Sequence, residues 1–421
     1  MIFLPLQQFI AEMNFIISSN KKPKKMKSTL FFCGVLFVAM NLTGYSQEVN
    51  IPDNNFKAAL LASGVDTSGN GEISYAEADA VTTIDVNSKD IEDLTGIEAF
   101  VNLTVLNCYF NQLTSINLSK NTDLLELRCF GNKLSWIDVS KNTDLIKFMC
   151  YDNLLDSIDV SNNPQLTHLY CGNSGLTSLD VSNNTQLLYL YCERNAITIL
   201  DLSGNTVLKE LICYVNQLSS LDVSICPDLT LIRCYSNQLD ALDVSKNPLL
   251  KDLMCSDNLL TEIDISNNPD LTTFLCDYNQ FTSLYMANNV LLKSIGLSGM
   301  PNLTDVCVWA LPFPVEGVTV DTTYSPNIVY STSCISALEK NITNDNKIIV
   351  YPVPAHEAIY IYIKGISEYS LEIIDIQGKT VYSYKNYYNN KEIDVGSLSK
   401  GVYILQVKTG TENLIKKLFI R

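Results

Sequence analysis

A β-rich solenoid is the fold class that this sequence predicts, and three observations predict it. Nine cysteines recur 21 residues apart: Cys108, Cys129, Cys150, Cys171, Cys192, Cys213, Cys234, Cys255 and Cys276. An unbroken period of that length means stacked, near-identical turns that bury their apolar faces against one another. Within one unit, Leu103, Leu106, Cys108, Leu113, Ile116 and Leu118 recur as apolar positions. The alternation around Leu106 and Cys108 has the period of a short strand with one face buried. Neighbouring turns then supply its hydrogen-bonding partners, in a parallel sheet of one strand per turn. The third observation is a pair of asparagine columns. One holds Asn111, Asn132, Asn153, Asn195, Asn216, Asn237, Asn258 and Asn279, with Ser174 in the fourth copy. The other holds Asn121, Asn142, Asn163, Asn184, Asn205, Asn247, Asn268 and Asn289, interrupted by Cys226. An amide carries donors and an acceptor, so it can satisfy the backbone where the chain turns inward.

The return segments, such as Ser135–Ser140 and Ser178–Ser182, also read as strand-like, and 21 residues leave no room for a long helix. Metal binding by the cysteines is excluded by their layout. Metal sites need ligands converging on one point, whereas these thiols lie in a line and the chain has 2 histidines. Disulfides along the ladder are excluded too. Neighbouring strands sit about 4.8 Å apart, and a disulfide wants Cβ atoms nearer about 3.8 Å. The thiols are therefore expected to be reduced, buried and small enough for a narrow core.

This pattern resembles the leucine-rich repeat family, in the short form where cysteine replaces one core leucine, as in internalin-like bacterial surface proteins. The resemblance covers residues 82–308. It implies a curved solenoid with its strands on the concave face.

Both ends of the chain read differently. Residues 1–46 read as a signal peptide region: Lys27 is basic, Leu30 to Met40 is apolar, and Gly44-x-Ser46 is a small-x-small cleavage site. Met1–Lys25 is either an extended basic region or lies upstream of the true start at Met26, and the second reading is preferred. Residues 309–346 read as a C-terminal cap and linker. Residues 347–421 lose the period and show seven β-rich stretches: Lys347–Tyr351, Ala358–Lys364, Ser370–Ile376, Thr380–Tyr384, Glu392–Val395, Val402–Val407 and Leu414–Ile420. That count predicts a small Ig-like β-sandwich. Tyr351-Pro-Val-Pro354, Ile374-Asp-Ile-Gln-Gly-Lys379, Leu398-Ser-Lys-Gly-Val-Tyr-Ile404 and Lys416-Lys417 are similar to the type A C-terminal sorting domain of the type IX secretion system. Val353 stands where that family usually has Asn. The resemblance implies export across the outer membrane of a Gram-negative cell, removal of the domain, and an extracellular or surface location. Removing 5 Lys and 1 Glu with residues 1–46 leaves 24 basic against 44 acidic residues, or −20. Such a surface repels nucleic acid and anionic lipid.

Residues 47–81 read as an N-terminal cap. Asp66 to Glu77 fits the twelve-residue EF-hand loop, with helix-compatible Asn54–Leu61 before it and Tyr75–Val81 after it. Asp66, Ser68 and Asn70 would be side-chain ligands of one structural calcium ion, Glu72 would offer its carbonyl, Gly71 would allow the sharp turn, and Glu77 would bind through both oxygens. The alternative is a Gly/Asn turn between two helices with no metal. Ile84–Phe100 reads as a degenerate first repeat, and Leu303-xx-Val306-Cys307 as the last strand. Cys307 and Cys334 lie outside the ladder and are expected to form a disulfide that ties down the C-terminal cap, as befits an exported protein.

On such a strand the residues flanking the buried ones face the concave side. There the sequence places Tyr109, Phe130, Tyr151, Tyr170, Tyr189, Tyr191, Tyr214 and Tyr235, beside His168 and Glu210. Tyrosine offers contact area with a polar tip, so these residues form the candidate ligand-binding face. They are expected to point to solvent, so that truncating Tyr191 or Tyr214 weakens binding with little change in stability. The alternative is that they suit strands and pack on their ladder neighbours. The return side carries Asp138, Asp159, Asp180, Asp201, Asp222, Asp243 and Asp264, which read as a structural hydrogen-bond ladder rather than a cation site. The function that follows is non-catalytic binding of a protein or glycan ligand. The alternative is a structural spacer of the cell envelope. With 2 histidines and no recurring nucleophile–base pattern, an enzyme is not expected.

Overall fold

The computed structural model describes residues 47–332, 348–351, 358–363, 368–375, 378–388, 392–408 and 413–420. The expected signal region at 1–46 and Cys334 lie outside the described residues.

Helix α1 (Asn54–Ala62) opens the cap and buries Phe56 and Leu60. One oxygen of the Asp53 carboxylate accepts the N–H groups of Asn55 and Phe56 at 2.8 and 2.9 Å, which caps the helix. Its other oxygen accepts those of Glu92 and Asp93 at 2.8 and 3.1 Å. One side chain thus caps the helix and fastens it to the first turn of the stack. Helix α2 (Tyr75–Asp79) starts with a capping box of Ser74 and Glu77.

Short strands follow, almost one per turn: β1 (Thr83–Asp85), β2 (Val105–Asn107), β3 (Glu126–Arg128), β4 (Lys147–Met149), β5 (His168–Tyr170), β6 (Tyr189–Tyr191), β7 (Glu210–Ile212), β8 (Leu231–Arg233), β9 (Asp252–Met254) and β10 (Thr273–Leu275). With β12 (Ser294–Gly296) and β14 (Thr319–Asp321) they form a 12-stranded parallel sheet. Register is strict: Leu106 pairs with Leu127, Leu127 with Phe148, and Phe148 with Leu169. The middle residue of each of these twelve strands, apart from half-buried Val320, is buried against the interior. From β2 to β12 a 21-residue shift per turn keeps equivalent side chains in line, while β1 to β2 takes 22 residues and β12 to β14 takes 25.

Two residues beyond each ladder cysteine the chain turns through left-handed backbone. Phe110, Asp152, Asn173, Arg194, Val215, Ser236, Asp257 and Tyr278 have φ between 48 and 55°. That conformation costs on the order of 1 kcal/mol or more for a residue with a Cβ, and Val215 is β-branched. The first asparagine column holds it. From Asn132 to Asn279 each asparagine of the column donates to the carbonyl of its own ladder cysteine and to that of the turn before, Asn153 at 2.9 and 3.1 Å; Asn111 reaches Cys108 O and Val86 O, and in the turn without an asparagine the Ser174 hydroxyl meets Cys150 O at 3.4 Å. The Asn153 oxygen accepts Leu134 N–H at 3.0 Å. The second column donates inward in the same way, Asn163 reaching Val139 O at 3.0 Å and Asn142 O at 2.8 Å. Its oxygens, from Asn121 to Asn289, are buried without a hydrogen bond. Cys226 replaces one of these asparagines and keeps the donor, its thiol meeting Asn205 O at 3.4 Å. The column therefore works through its N–H groups.

The nine ladder cysteines and Cys226 are buried and free. The return segments differ from expectation: Ser135–Ser140 and its counterparts are not strands. Adjacent turns still lie close there, Ser182 O standing 2.7 Å from where a Cβ on Gly204 would sit, but they are bridged by asparagine side chains such as Asn163 to Asn142 O and Asn184 to Asn163 O rather than by a strand ladder. At the C-terminal end the return side does pair, as β11 (Ser283–Tyr285), β13 (Asp305–Cys307) and β15 (Val329–Ser331) in a 3-stranded parallel sheet. Asp305–Cys307 thus belongs to this second sheet and is not the last strand; β14 and β15 follow it. Trp309, Phe313 and Tyr330 cluster over this end, with ring centroids 5.1 and 5.0 Å apart.

The tail forms two antiparallel sheets. β16 (Ile348–Tyr351), β17 (Ala358–Ile363) and β20 (Glu392–Asp394) make one; β19 (Thr380–Tyr388), β18 (Glu368–Asp375), β21 (Gly401–Lys408) and β22 (Asn413–Ile420) make the other. Val350, Ile359, Ile361 and Ile393 from the first share one core with Tyr369, Leu371, Ile373, Leu405, Val407 and Leu418 from the second. Each of the seven predicted stretches contains one of these strands.

Candidate functional site

The 12-stranded sheet presents three outward columns. The first and third residues of each strand supply two, and the residue after each ladder cysteine supplies the third. The predicted aromatic residues all lie there, half-buried. They do not point freely to solvent. Tyr109 stacks on Phe130 at 4.5 Å, Phe130 on Tyr151 at 4.3 Å, and Tyr214 on Tyr235 at 4.3 Å, with interplanar angles under 10°. In the next column Tyr170 stacks on Tyr191 at 4.2 Å, and in the first column His168 lies on Tyr189 at 4.6 Å. The expectation that truncation leaves stability untouched is therefore corrected. In-register strands hold like side chains one strand spacing apart, which is close to ring-stacking distance.

Charge on this face is mostly paired. Glu126 meets Arg128 and, at 3.5 Å, Lys147. Arg233 meets Asp252 at 3.0 Å. Tyr191 donates its hydroxyl to Glu210 at 2.5 Å; burial first and then this carboxylate hold the phenol above its ordinary range. Burial, and then Lys147, push His168 below its usual value. Sequence reasoning did not single out Gly172 or Glu193. The Glu193 side chain folds over Gly172, its Cδ 2.7 Å from where a Cβ on that glycine would sit. Burial pushes the Glu193 carboxyl up, and one of its oxygens is buried without a hydrogen bond. The legible signal was the glycine itself, placed where neighbouring turns carry rings.

The return-side aspartates bond within their own turns and not from turn to turn. Asp138, Asp159 and Asp180 each accept the N–H of the serine two residues on at 2.9 Å. The Ser182 hydroxyl and N–H hold Asp180 below the usual carboxylate range.

At the N-terminal loop, Asp66 and Glu77 converge on Ser68. Asp66 accepts its hydroxyl at 3.0 Å and Glu77 its N–H at 2.9 Å. Asp66 also accepts Gly69 and Gly71 N–H groups at 2.7 and 2.8 Å, and the Asn70 oxygen accepts Glu72 N–H at 2.8 Å. The Glu72 side chain turns away to Lys57 at 2.6 Å, which leaves its carbonyl as the group available to an ion. The donor set fits calcium by type. Among the described residues no three His, Cys, Asp or Glu side chains group as a metal site, so any ion here would depend on the neutral oxygens. Glu77 is held down to about 2, chiefly by the Ser74 N–H and then by that of Ser68.

Cys307 is disulfide-bonded; its expected partner, Cys334, lies outside the described residues. Among the described residues no helix is long and apolar enough to cross a membrane.

Comparison with known structures settles the architecture. A functional domain of InlJ from Listeria monocytogenes, which includes a cysteine ladder, superposes with a TM-score of 0.57 at 24% identity, covering 90% of this chain and 99% of that one. Its fold is the leucine-rich repeat. An internalin (inlF) from Listeria monocytogenes str. 4b F2365 also superposes, with a TM-score of 0.52 at 20% identity, over 70% of this chain and 100% of that chain. In sequence, 81 residues are 36% identical to Internalin J of Listeria monocytogenes serotype 4b (strain F2365). That stretch is 19% of this leucine-rich-repeat chain and only 9% of the relative. Residues 349–421 match the secretion system C-terminal sorting domain family. That domain marks the leucine-rich repeat for secretion, to the surface or beyond it.

Proposed function

We propose that this leucine-rich repeat is an exported, non-catalytic binding protein that holds a protein or glycan ligand on its concave face. The observation that carries the proposal is the set of aromatic stacks across the middle of that face, Tyr109 to Tyr235. Rigid rings lose little entropy on binding and dominate interface energies. The experiment is a protein pull-down and glycan-array screen with the exported chain and its Tyr191→Ala and Tyr214→Ala variants. Each variant is expected to weaken saturable binding by about 1–3 kcal/mol. A second reading, a spacer of the cell envelope without a specific ligand, is favoured by the way the rings pack on one another. Binding that ignores both variants, or no saturable binding at all, would select it.

Export by the type IX machinery completes the proposal. The tail is read as an Ig-like sandwich that is removed by cleavage in Glu339–Asn346, leaving the rest at the outer-membrane surface or in the medium. Deleting residues 345–421 should strand the chain in the periplasm. One structural calcium ion would be held by Asp66, Ser68, Asn70, Glu77 and the Glu72 carbonyl, supplying charge that locks the cap onto the stack. Chelation should then lower the melting temperature, and Glu77→Gln should remove that sensitivity; an identical melting curve with and without calcium would refute it.

A further inference from the structure

The third column of the concave face has a gap. From the N-terminal side it reads Tyr109, Phe130, Tyr151, Gly172, Glu193, Tyr214 and Tyr235. Rings stack at 4.5 and 4.3 Å on one side of the gap and at 4.3 Å on the other. Tyr151 and Tyr214 are three turns apart, about 14 Å at strand spacing, and no ring stands between them in that column. The neighbouring column walls the opening with the stacked pair Tyr170 and Tyr191, 4.2 Å apart. The result is a slot with aromatic sides.

One group lies in the slot. Gly172 leaves room for the Glu193 carboxylate, whose Cδ and Oε1 both come within 2.7 Å of where a Cβ on that glycine would be. Its Oε2 is buried and has no hydrogen-bond partner. The other acids of this face differ. Glu126 is paired with Arg128 and Lys147, and Asp252 with Arg233. Glu210 accepts the Tyr191 hydroxyl, and Asp277 accepts Ser256 Oγ and Ser298 N–H. Arg194 acts on Glu193 through its charge, but its guanidinium lies over the Tyr214 ring at 5.7 Å and forms no ion pair with Glu193. A desolvated carboxylate oxygen without a donor is costly and is satisfied best by a cation that brings its own N–H groups. Tyrosine faces attract the same cation through their quadrupole. Apolar or anionic groups would leave Glu193 unpaired.

We infer that this slot, formed by Tyr151, Tyr170, Tyr191 and Tyr214 around Glu193, receives a lysine or arginine side chain of a basic protein segment. The inference rests on the concave-face reading above and names its ligand class. Gly172 is the specificity-determining position, because any larger side chain there would push the carboxylate out of the slot.

The test uses the exported chain and an array of short peptides, each with a central lysine or arginine, beside copies with glutamine at that place. Basic peptides should bind at least tenfold better than their glutamine copies. Glu193→Gln, close in size and shape, should erase that preference, and Gly172→Ala should reduce it about as much. Asp180→Asn, which removes the same charge from the return side, should leave it intact. Melting curves establish that each variant is folded; if Gly172→Ala is not, Glu193→Gln alone decides. Equal losses in Glu193→Gln and Asp180→Asn would reduce the preference to bulk charge and overturn the inference. So would a preference that survives Glu193→Gln. Tyrosine-dependent binding of neutral peptides or glycans with no basic preference would overturn the slot while sparing the concave-face reading. Absence of any tyrosine-dependent binding would overturn both.

Discussion

The return side and the outer face of the 12-stranded sheet belong to the same 21-residue turns, yet they treat their polar groups in opposite ways. On the return side one device repeats from Asp138 to Asp264: an aspartate accepts the N–H of the serine two residues on, at 2.8–2.9 Å. Each group is satisfied inside its own turn and needs nothing from a neighbour or a ligand. On the outer face of the 12-stranded sheet the residues change from turn to turn, and many lean on the turn beside them through a ring stack, an ion pair or a hydrogen bond. Glu126 and Glu193 each keep a buried oxygen without a hydrogen bond, but that of Glu126 is met by Arg128, whereas that of Glu193 is in no ion pair among the described residues. Between the two lies the interior, where the cysteine and asparagine ladders repeat because they carry the hydrogen-bonding frame. Repetition marks what the fold requires of every turn, and variation marks what it leaves open.

That contrast can be broken by ranking substitutions. The largest loss of stability should come from the interior. Asn153→Ala leaves Leu134 N–H without its partner and takes one of two donors from each of the Cys129 and Cys150 carbonyls, which keep Asn132 and Ser174. With one buried group unpaired at about 1–3 kcal/mol and two further hydrogen bonds lost, the expected cost is about 2–4 kcal/mol in urea unfolding. A cost below about 1 kcal/mol would show that the asparagine columns do not carry the frame.

The thiols come next and depend on pH. Burial pushes Cys129 from 9.0 up to about 12 and Cys226 up to about 11. The folded state therefore keeps protons that the unfolded state releases. The stabilisation is complete below about pH 9 and is lost as pH rises toward those folded values. The melting temperature should fall steadily above pH 9, while the free thiols resist a thiol reagent in the native state at pH 8. Rapid native labelling, or a flat melting temperature through pH 11, would contradict their burial.

Tyr214→Ala should cost about 0.5–1.5 kcal/mol beyond the area it uncovers, because its stacking partner Tyr235 is lost. Asp180→Asn should have the smallest effect, within about 0.5 kcal/mol, since an amide oxygen still accepts Ser182 N–H. If Asp180→Asn proved the more costly of these two, the return side would be the constrained surface and the comparison would be reversed.

The repeat made much of this legible in advance. Cysteine, leucine and asparagine each returned to the same depth, so the buried columns could be named before any coordinates. The seven strands of the tail were legible for a similar reason, because alternating apolar runs between turn signals have few other solutions. The return segments were misread. Residues such as Trp136, Ile137 and Val139 suit a strand by type, but a strand also needs its N–H groups free for a neighbouring turn, and those of Ser140, Ser161 and Ser182 are taken by the aspartates of their own turns. The second sheet at the C-terminal end was missed because β13 and β15 pair across a connection with no fixed period.

What the sequence determined by itself was periodic: the 21-residue turn, its parallel register, the line of buried thiols and the face on which the aromatic residues stand. These follow from side-chain polarity repeated at one spacing, which any stacked chain must honour. What only the tertiary structure decided was relational. Whether rings meet face to face, which acids find a cation, and how Glu193 comes to fill the space above Gly172 depend on distances between turns, and those distances exist only once the turns are stacked.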